Sequence, residues 1–488
     1  MSAVGSILTN TGALDSLNAI SNVSNTNNTL ENELSTGLAI NSPADNPAGY
    51  ITAQGLTSQL NGITQAISNA NTGVSLLQTA QGALTQQIGV VQQLNSIAVQ
   101  AANGTQTSQE AASLQGVANQ LTSQVSTIAN QTQFNNINLL DGSFSNVQFQ
   151  VGANEGQTIN LSIADTSASS IGLNASKATF LTTGVYNSKN NHSSASGALS
   201  LGAPGASTGA FTAGAVSWTS NGGGTGSATV TKNESAASIA SAVNSTSGTT
   251  GIQAQATTSI TLTATAGTGG FAFSLQGSGS SKQTINAQNV SDLVQQINGD
   301  TGTTGITAAI DSNGNLTLTQ SQGQNINITG VTSGSLATTG STPQVLSASG
   351  SASGTVQGQV QLQSSAGFKV ANGSDIGLGS ASTLYSLASI NVSTVAGANQ
   401  AINVVKFALQ GLNNAGGQLG ATQQRLTANI NNLNTTSENV TSALGVVQDA
   451  NLPQVSNQLT QAQIQAQAGV AALKSSTTLQ QSYLSLLP

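Results

Sequence analysis

The chain has 488 residues, of which 37% are apolar and 5% charged; its eight Lys and Arg face fifteen Asp and Glu, a net charge of −7. That apolar share supports packed cores for about two to four domains, whereas so few cations exclude a basic surface for nucleic acid or an anionic membrane. Without cysteine there is neither a disulfide nor a thiolate metal site, and Asn, Gln, Ser and Thr fill the places that charges usually take.

Residues 1–36 place Ile7, Leu14, Leu17, Val23, Leu30 and Leu34 at near-helical spacing, on a narrow stripe diluted by Asn, Ser and Thr. Met1 to Asn10 lacks a basic segment and a continuous apolar run, so no cleaved secretory signal is expected. No apolar run reaches the length of a membrane span. From Ile63 a heptad seam continues through Ile67, Ala70, Val74, Leu77, Leu84, Ile88, Val91 and Ala98, with Gln81 and Asn95 as polar interruptions. A helix over 44–100 would be about 85 Å long, too long for a compact globule with a radius of gyration of about 23 Å, so an elongated molecule is expected. Asn103-Gly104 ends it, and a third helix follows with Leu114, Leu121, Val125 and Ile128 on one face.

The middle, 176–388, is rich in Gly, Ser and Thr and alternates as strands do. It repeats: Ile239, Val243, Asn244, Gly251 and Ile252 recur 54 positions later as Leu293, Ile297, Asn298, Gly305 and Ile306. The strand pair around Ile260 recurs two residues late at Leu316, as though Asn313-Gly314 lengthened a hairpin turn. Two small α+β lobes, near 228–276 and 282–330, are expected. A second long seam follows, with Leu419, Leu426, Ile430, Leu433, Val440, Leu444 and Val447, interrupted at Gln423 and Ser437. Residues 455–487 carry Leu459, Ala462, Ala466, Val470, Leu473 and Leu484 on another narrow stripe. Both extreme ends are expected to be disordered in the free monomer and to fold only against neighbouring copies. Periodicity alone leaves open a bundle that never polymerises.

Chemistry finds little purchase. His192 is the single histidine, in the polar run from Asn187 to Ser196, which excludes a two-histidine zinc motif and reads as an exposed structural residue. Gly222 to Gly226 lacks a following Lys-Ser/Thr and reads as a flexible loop, not a phosphate cradle. Glu31 and Glu33 lie two apart, on different faces of a helix. Aromatics at 3% give no stacking platform for bases or sugars. No catalytic, cofactor-binding or metal-binding residue is expected, and the chain does not read as an enzyme.

Several segments carry a family likeness: Leu34-Ser-Thr-Gly-Leu-Ala-Ile-Asn-Ser-Pro-Ala-Asp-Asn-Pro-Ala-Gly49, Asn69 to Leu84, Ala98-Val-Gln-Ala-Ala-Asn-Gly104, Thr132-Gln-Phe-Asn135, Leu139-Leu-Asp-Gly142 and Phe149-Gln-Val-Gly-Ala-Asn154. With Asn434 to Asn439, Gln461-Ala-Gln-Ile464, Gln467-Ala-Gly469 and Leu484 to Leu487, they resemble bacterial flagellin in order and spacing over about 1–175 and 389–488. The resemblance implies a helical rod made from the two chain ends, with an inserted β-rich region facing solvent. Its implied parts are an inner-tube domain from 1–43 and 454–488, a rod domain with a β-hairpin from 44–175 and 389–453, and a variable surface region at 176–388. It also implies export in an unfolded state and partners in the export apparatus, a chaperone, the cap and the hook-junction proteins, besides copies of itself. The filament and coiled-coil contacts are then expected at Leu14, Leu17, Leu30, Leu34, Ile63, Ile67, Val74, Leu77, Leu84, Ile88 and Val91. On the C-terminal side they are expected at Leu419, Arg425, Leu426, Ile430, Leu433, Val440, Leu444, Val447, Leu459, Val470, Leu473 and Leu484.

Departures from the family pattern remove charge. Ala39 stands where flagellins usually carry arginine, Gln448-Asp-Ala-Asn451 replaces a more acidic motif, and Arg425 is the one arginine kept in its motif. Contacts that do not titrate imply stability in acid and an acid-living bacterium. The stretch Gln92 to Ala98 lacks the charges of flagellins that resemble ligands of the vertebrate flagellin receptor, so weak or no receptor binding is expected. A hook–filament junction protein is the nearest alternative, and a surface adhesin a more distant one.

Overall fold

The computed structural model describes residues 10–178, 184–185, 199–200, 214–230, 234–277, 281–339, 345–347, 353–372 and 380–484. Its helices are α1 (Thr11–Thr36), α2 (Pro47–Ala101), α3 (Ser108–Gln131), α4 (Ala236–Ser245), α5 (Ser247–Thr250), α6 (Val290–Gly299), α7 (Thr301–Thr304), α8 (Val395–Gln448) and α9 (Leu452–Leu484). His192 and Ile7 lie outside the described residues. Long helices come from the two chain ends, and the region inserted between them in the sequence is rich in strands. The chain forms two compact units, one made of the residues up to Gln78, Asn146–Ser162 and Leu419 onward, the other of Thr79–Ser145 and Ile163–Gln418.

In the first unit α1 begins where the Asn10 side chain accepts the Ala13 N–H at 2.8 Å, and ends at Gly37, whose φ of +74° needs no Cβ. It pairs antiparallel with α9: Leu30 is buried with Val455 and Ala462, while Asn10 Nδ2 reaches Gln480 Oε1 at 2.8 Å near the far end of α9. The seam uses small residues. A Cβ on Gly469 would sit 2.9 Å from Ile20 Cγ1, so this glycine sets how closely the two helices approach. Further along, Ile63 and Ala66 of α2 form a cluster with Leu433 and Val440 of α8. The hairpin Val147–Gln150 with Thr158–Leu161 lies over α2, its Ala153 Cβ 3.0 Å from the Cβ position of Gly62.

The seam register differs from the reading by apolar spacing. On α2 the buried stripe runs through 63, 66, 70, 73, 77, 80, 84, 87, 91, 94, 98 and 101, with Ala53 and Leu76 also buried. Every second position is therefore Ala66, Gly73, Ala80, Gln87, Leu94 or Ala101, while Ile67, Val74 and Ile88 are half-buried flanks. Small residues alternate with large buried ones and leave room for neighbouring side chains: a Cβ on Gly73 would sit 3.2 Å from Leu426 Cδ1 and 3.4 Å from Phe149 Cδ1. On α9 the inward set is likewise Val455, Leu459, Ala462, Ala466, Gly469 and Leu473, and Val470 points outward.

In the second unit α3 opens with a capping box between Thr107 and Glu110. Gln87 is fully buried, and its amide donates to the Val125 and Thr166 carbonyls at 3.0 and 3.3 Å. Gln115 bonds the Val392 N–H and the Ile390 carbonyl at 2.6 and 3.2 Å, pinning the segment that leads into α8 onto α3.

The inserted region contains two related lobes. In the first, the hairpin Gly214–Ser220 with Thr225–Val230, helix α4 and the strand Gln253–Thr265 enclose Trp218, Ile239, Val243, Ile252 and Phe368. In the second, the hairpin Phe271–Gln276 with Gln283–Ala287, helix α6 and the hairpin Ile306–Ile310 with Leu316–Gln320 enclose Phe273, Ile285, Leu293, Ile297 and Leu318. Repeat-equivalent residues do equivalent work: Asn244 bonds both backbone groups of Ala254, and Asn298 both of Ala308.

Two expectations are corrected here. The first repeat has no hairpin where the second has one: Gln253–Thr265 is one unbroken strand, since Thr257-Thr258-Ser259 has no glycine or asparagine to take the positive φ that Gly314 takes in the second. In the second repeat Gly314 at φ +81° makes the turn, and Asp311 accepts the Asn313 and Asn315 N–H groups. The long strand then pairs with its own repeat, Thr261 opposite Thr317 with their hydroxyls 3.1 Å apart. The Gly222 to Gly226 run is an ordered hairpin turn, not a flexible loop, with the Ser220 N–H on the Gly224 carbonyl at 2.9 Å. Gly226 leaves room for the Trp218 indole, which donates to Thr246 Oγ1 at 3.2 Å.

Candidate assembly surface

In a chain that reads as a self-associating protein, the candidate surface is what the terminal helices leave uncovered. On α1 the inward face is Ala13, Ser16, Ile20, Val23, Asn27 and Leu30, so Leu14 and Leu17 are 51% and 55% exposed and Leu34 is also exposed. On α9, Ile464, Val470 and Leu479 point outward, at 61%, 56% and 55%. Near the α8–α9 junction Ile51, Val446 and Leu452 are exposed as well. Contiguous exposed apolar side chains mark contact sites, whereas single ones need no account.

The expected contact residues thus fall into three sets. Leu30, Ile63, Leu77, Leu84, Val91, Leu419, Leu426, Leu433 and Val440 are buried within the chain. Ile67, Val74, Ile88, Ile430, Leu444, Val447, Leu459 and Leu473 are half-buried. Leu14, Leu17, Leu34, Arg425 and Val470 are exposed, and the Leu484 side chain lies outside the described set.

Spacing alone missed the joint between the helices. Ala39 N–H donates to the Gln448 carbonyl at 2.7 Å and Ala450 N–H to the Gly37 carbonyl at 2.9 Å, and the Gln448 amide reaches the Ile40 carbonyl at 3.3 Å. A two-strand bridge therefore ties the connection after α1 to the connection before α9. The following turn is organised by Asp45, whose carboxylate accepts the Ser42 and Asn41 N–H groups at 2.8 and 3.0 Å and is held below the usual range by them. The backbone and hydroxyl of Thr107 lower Glu110 in the same way, and the Ser143 hydroxyl with the Asn138 amide lowers Asp141. Among the described residues of the helical parts, carboxylates held low are thus few, Asp45, Glu110 and Asp141, and they sit in caps and turns.

Comparison with known proteins agrees with this layout. The family model for the bacterial flagellin N-terminal helical region matches 7–145, that for the flagellin C-terminal helical region matches 402–487, and the flagellin hook IN motif matches 270–322. A B-type flagellin of Pseudomonas aeruginosa is 32% identical over 98% of this chain and 99% of its own length. The chain belongs to the bacterial flagellins. Flagellin B of Vibrio anguillarum matches locally, 35% identical over 33% of this chain and 42% of that relative. Among solved structures, FliC from Burkholderia pseudomallei aligns at 20% identity over 72% of this chain and 99% of that one, with a TM-score of 0.30. FlgL from Xanthomonas campestris aligns at 12% identity over 79% and 98%, with a TM-score of 0.34. As a flagellin the chain is a structural subunit of the extracellular flagellar filament and polymerises with copies of itself. No helix among the described residues is long and apolar enough to cross a membrane.

Proposed function

We propose that this flagellin is a purely structural subunit without enzymatic activity, and that the exposed apolar faces of α1 and α9 are its principal polymer contacts. The observation that carries this reading is the outward set Leu14, Leu17, Ile464, Val470 and Leu479 on helices that bury few apolar side chains within the chain. Burying a half-exposed leucine contributes roughly 1 kcal/mol, so a few per subunit decide between a frayed helix pair and a polymerised one. The terminal segments accordingly order on assembly. Residues 1–43 and 454–488 serve as the inner-tube domain, 44–175 and 389–453 as the rod, and 176–388 as the surface region.

Chains whose ends fold late suit export in an unfolded state, and the export apparatus, a chaperone, the cap and the hook-junction proteins are the partners this reading adds. Along Gln92 to Ala98 the exposed side chains are Gln92, Gln93 and Ser96, which are neutral, so the purified monomer should activate vertebrate flagellin receptor reporter cells weakly or not at all. Seeded polymerisation tests the central claim. Monomer mixed with short filament fragments should grow long filaments and gain helix signal by circular dichroism. A monomer that keeps constant helix signal and fails to extend competent seeds would remove the reading.

A further inference from the structure

The second lobe has two strands at sheet edges among the described residues, Gln283–Ala287 and Ile306–Ile310. In an antiparallel strand alternate residues aim their N–H and C=O groups away from the paired neighbour, which leaves a template for strand addition. Here side chains from one short stretch occupy those groups. Asn298 accepts the Ala308 N–H at 2.7 Å and donates to the Ala308 carbonyl at 2.9 Å. Thr304 Oγ1 accepts the Ile306 N–H at 3.2 Å, and Thr301 Oγ1 donates to the Ile306 carbonyl at 2.8 Å. On the other edge Gln296 accepts the Asn286 N–H at 3.0 Å and donates to its carbonyl at 2.7 Å, and Asp292 takes the Gln288 N–H at 2.9 Å.

We propose that α6 and the turn after it form an edge seal, in which carboxamides and hydroxyls imitate the strand that would otherwise be supplied by the edge of a second copy of this chain. The need follows from composition. Charged residues, above all lysine, are the common guard of an exposed edge, but the strand Ile306–Ile310 carries none, and only 5% of the chain is charged. Filament subunits hold identical edges at high local concentration, so the proposal rests on the filament reading for its setting, though not for its geometry. A carboxamide imitates a peptide group atom for atom, and it keeps doing so when carboxylates protonate. The second repeat uses this more heavily than the first: Asn298 has its counterpart in Asn244, whereas the counterpart of Gln296 is Ala242.

The test uses the full chain with Asn298→Ala. The Ala308 amide should lose about tenfold of its exchange protection, and filaments should grow from seeds as before but join sideways into bundles, with single filaments in the wild type. Adding Thr307→Lys, an exposed position on the same edge, should return them to single filaments. If the lobe of Asn298→Ala unfolds, Gln296→Ala is read in its place, with Thr284→Lys as the reverting change. Faster exchange with filaments that stay single overturns the proposal, and so does bundling that the added lysine does not reverse. Loss of seeded growth in the wild type would instead count against the polymerisation reading, which keeps the two failures distinct.

Discussion

The helix pair α1–α9 and the two inserted lobes solve opposite problems with the same neutral alphabet. The pair buries Leu30, Val455 and Ala462 and leaves at least five large apolar side chains facing out, whereas each lobe closes an apolar core around large residues such as Trp218 or Phe273. A surface meant to meet other copies keeps its apolar groups outside and its seam small. A surface meant to stay apart puts them inside and covers its free backbone groups with side chains. Low charge is tolerable in the second case only because the polar groups are spent on the chain's own backbone.

Several changes would break or sharpen this contrast. The largest effect is expected from Leu14→Asn with Leu17→Asn, which should abolish extension of wild-type seeds in an electron-microscopic growth assay while leaving the melting of the lobes unchanged. Next, Trp218→Ala should destabilise the first lobe by about 3–5 kcal/mol, read as an early transition in calorimetry, with seeded growth retained. Gly62→Val places side-chain atoms against Ala153, whose Cβ is already 3.0 Å from the added Cβ position. It should cost about 1–3 kcal/mol in the hairpin contact, visible in denaturant melts. The smallest effect is that of pH. Because Asp45 is lowered in the folded state, its contribution is present above the ordinary carboxylate pKa of about 3.9 and is lost as pH falls through the lowered value. Asp45→Asn should therefore flatten the acid limb of a stability profile, and the filament as a whole should lose little between neutral pH and pH of about 4, since no seam depends on a carboxylate.

Much of the helical architecture was legible because heptad spacing survives the scarcity of charge. Ile63, Leu77, Leu84, Val91, Leu426 and Leu433 were placed in the seam by period alone and are buried. The intervening register was not legible, because Ala66, Gly73 and Ala80 look like weak positions beside Ile67 and Val74. Their fit depends on side chains far along the chain, as Gly73 makes room for Leu426 and Phe149. The lobes showed through their repeat, but an internal strand pairing with its own repeat leaves no mark on local periodicity. The Ala39–Gln448 and Gly37–Ala450 bridge joins segments about four hundred residues apart, and its backbone groups carry no side-chain signature. Thr107 and Glu110 carry one that apolar spacing passes over, Thr-x-x-Glu before an apolar run, the pattern of a capping box.

The unbroken strand Gln253–Thr265 places Ala256 in the core of the first lobe and Leu262 in that of the second. Its backbone is bonded to Gln359–Ser364 along one stretch and to Leu316–Gln320 along the next. A strand held in both ladders passes any displacement of one lobe directly to the backbone of the other. For a protein that spends its life rotating in a fluid, this makes the two lobes one mechanical part.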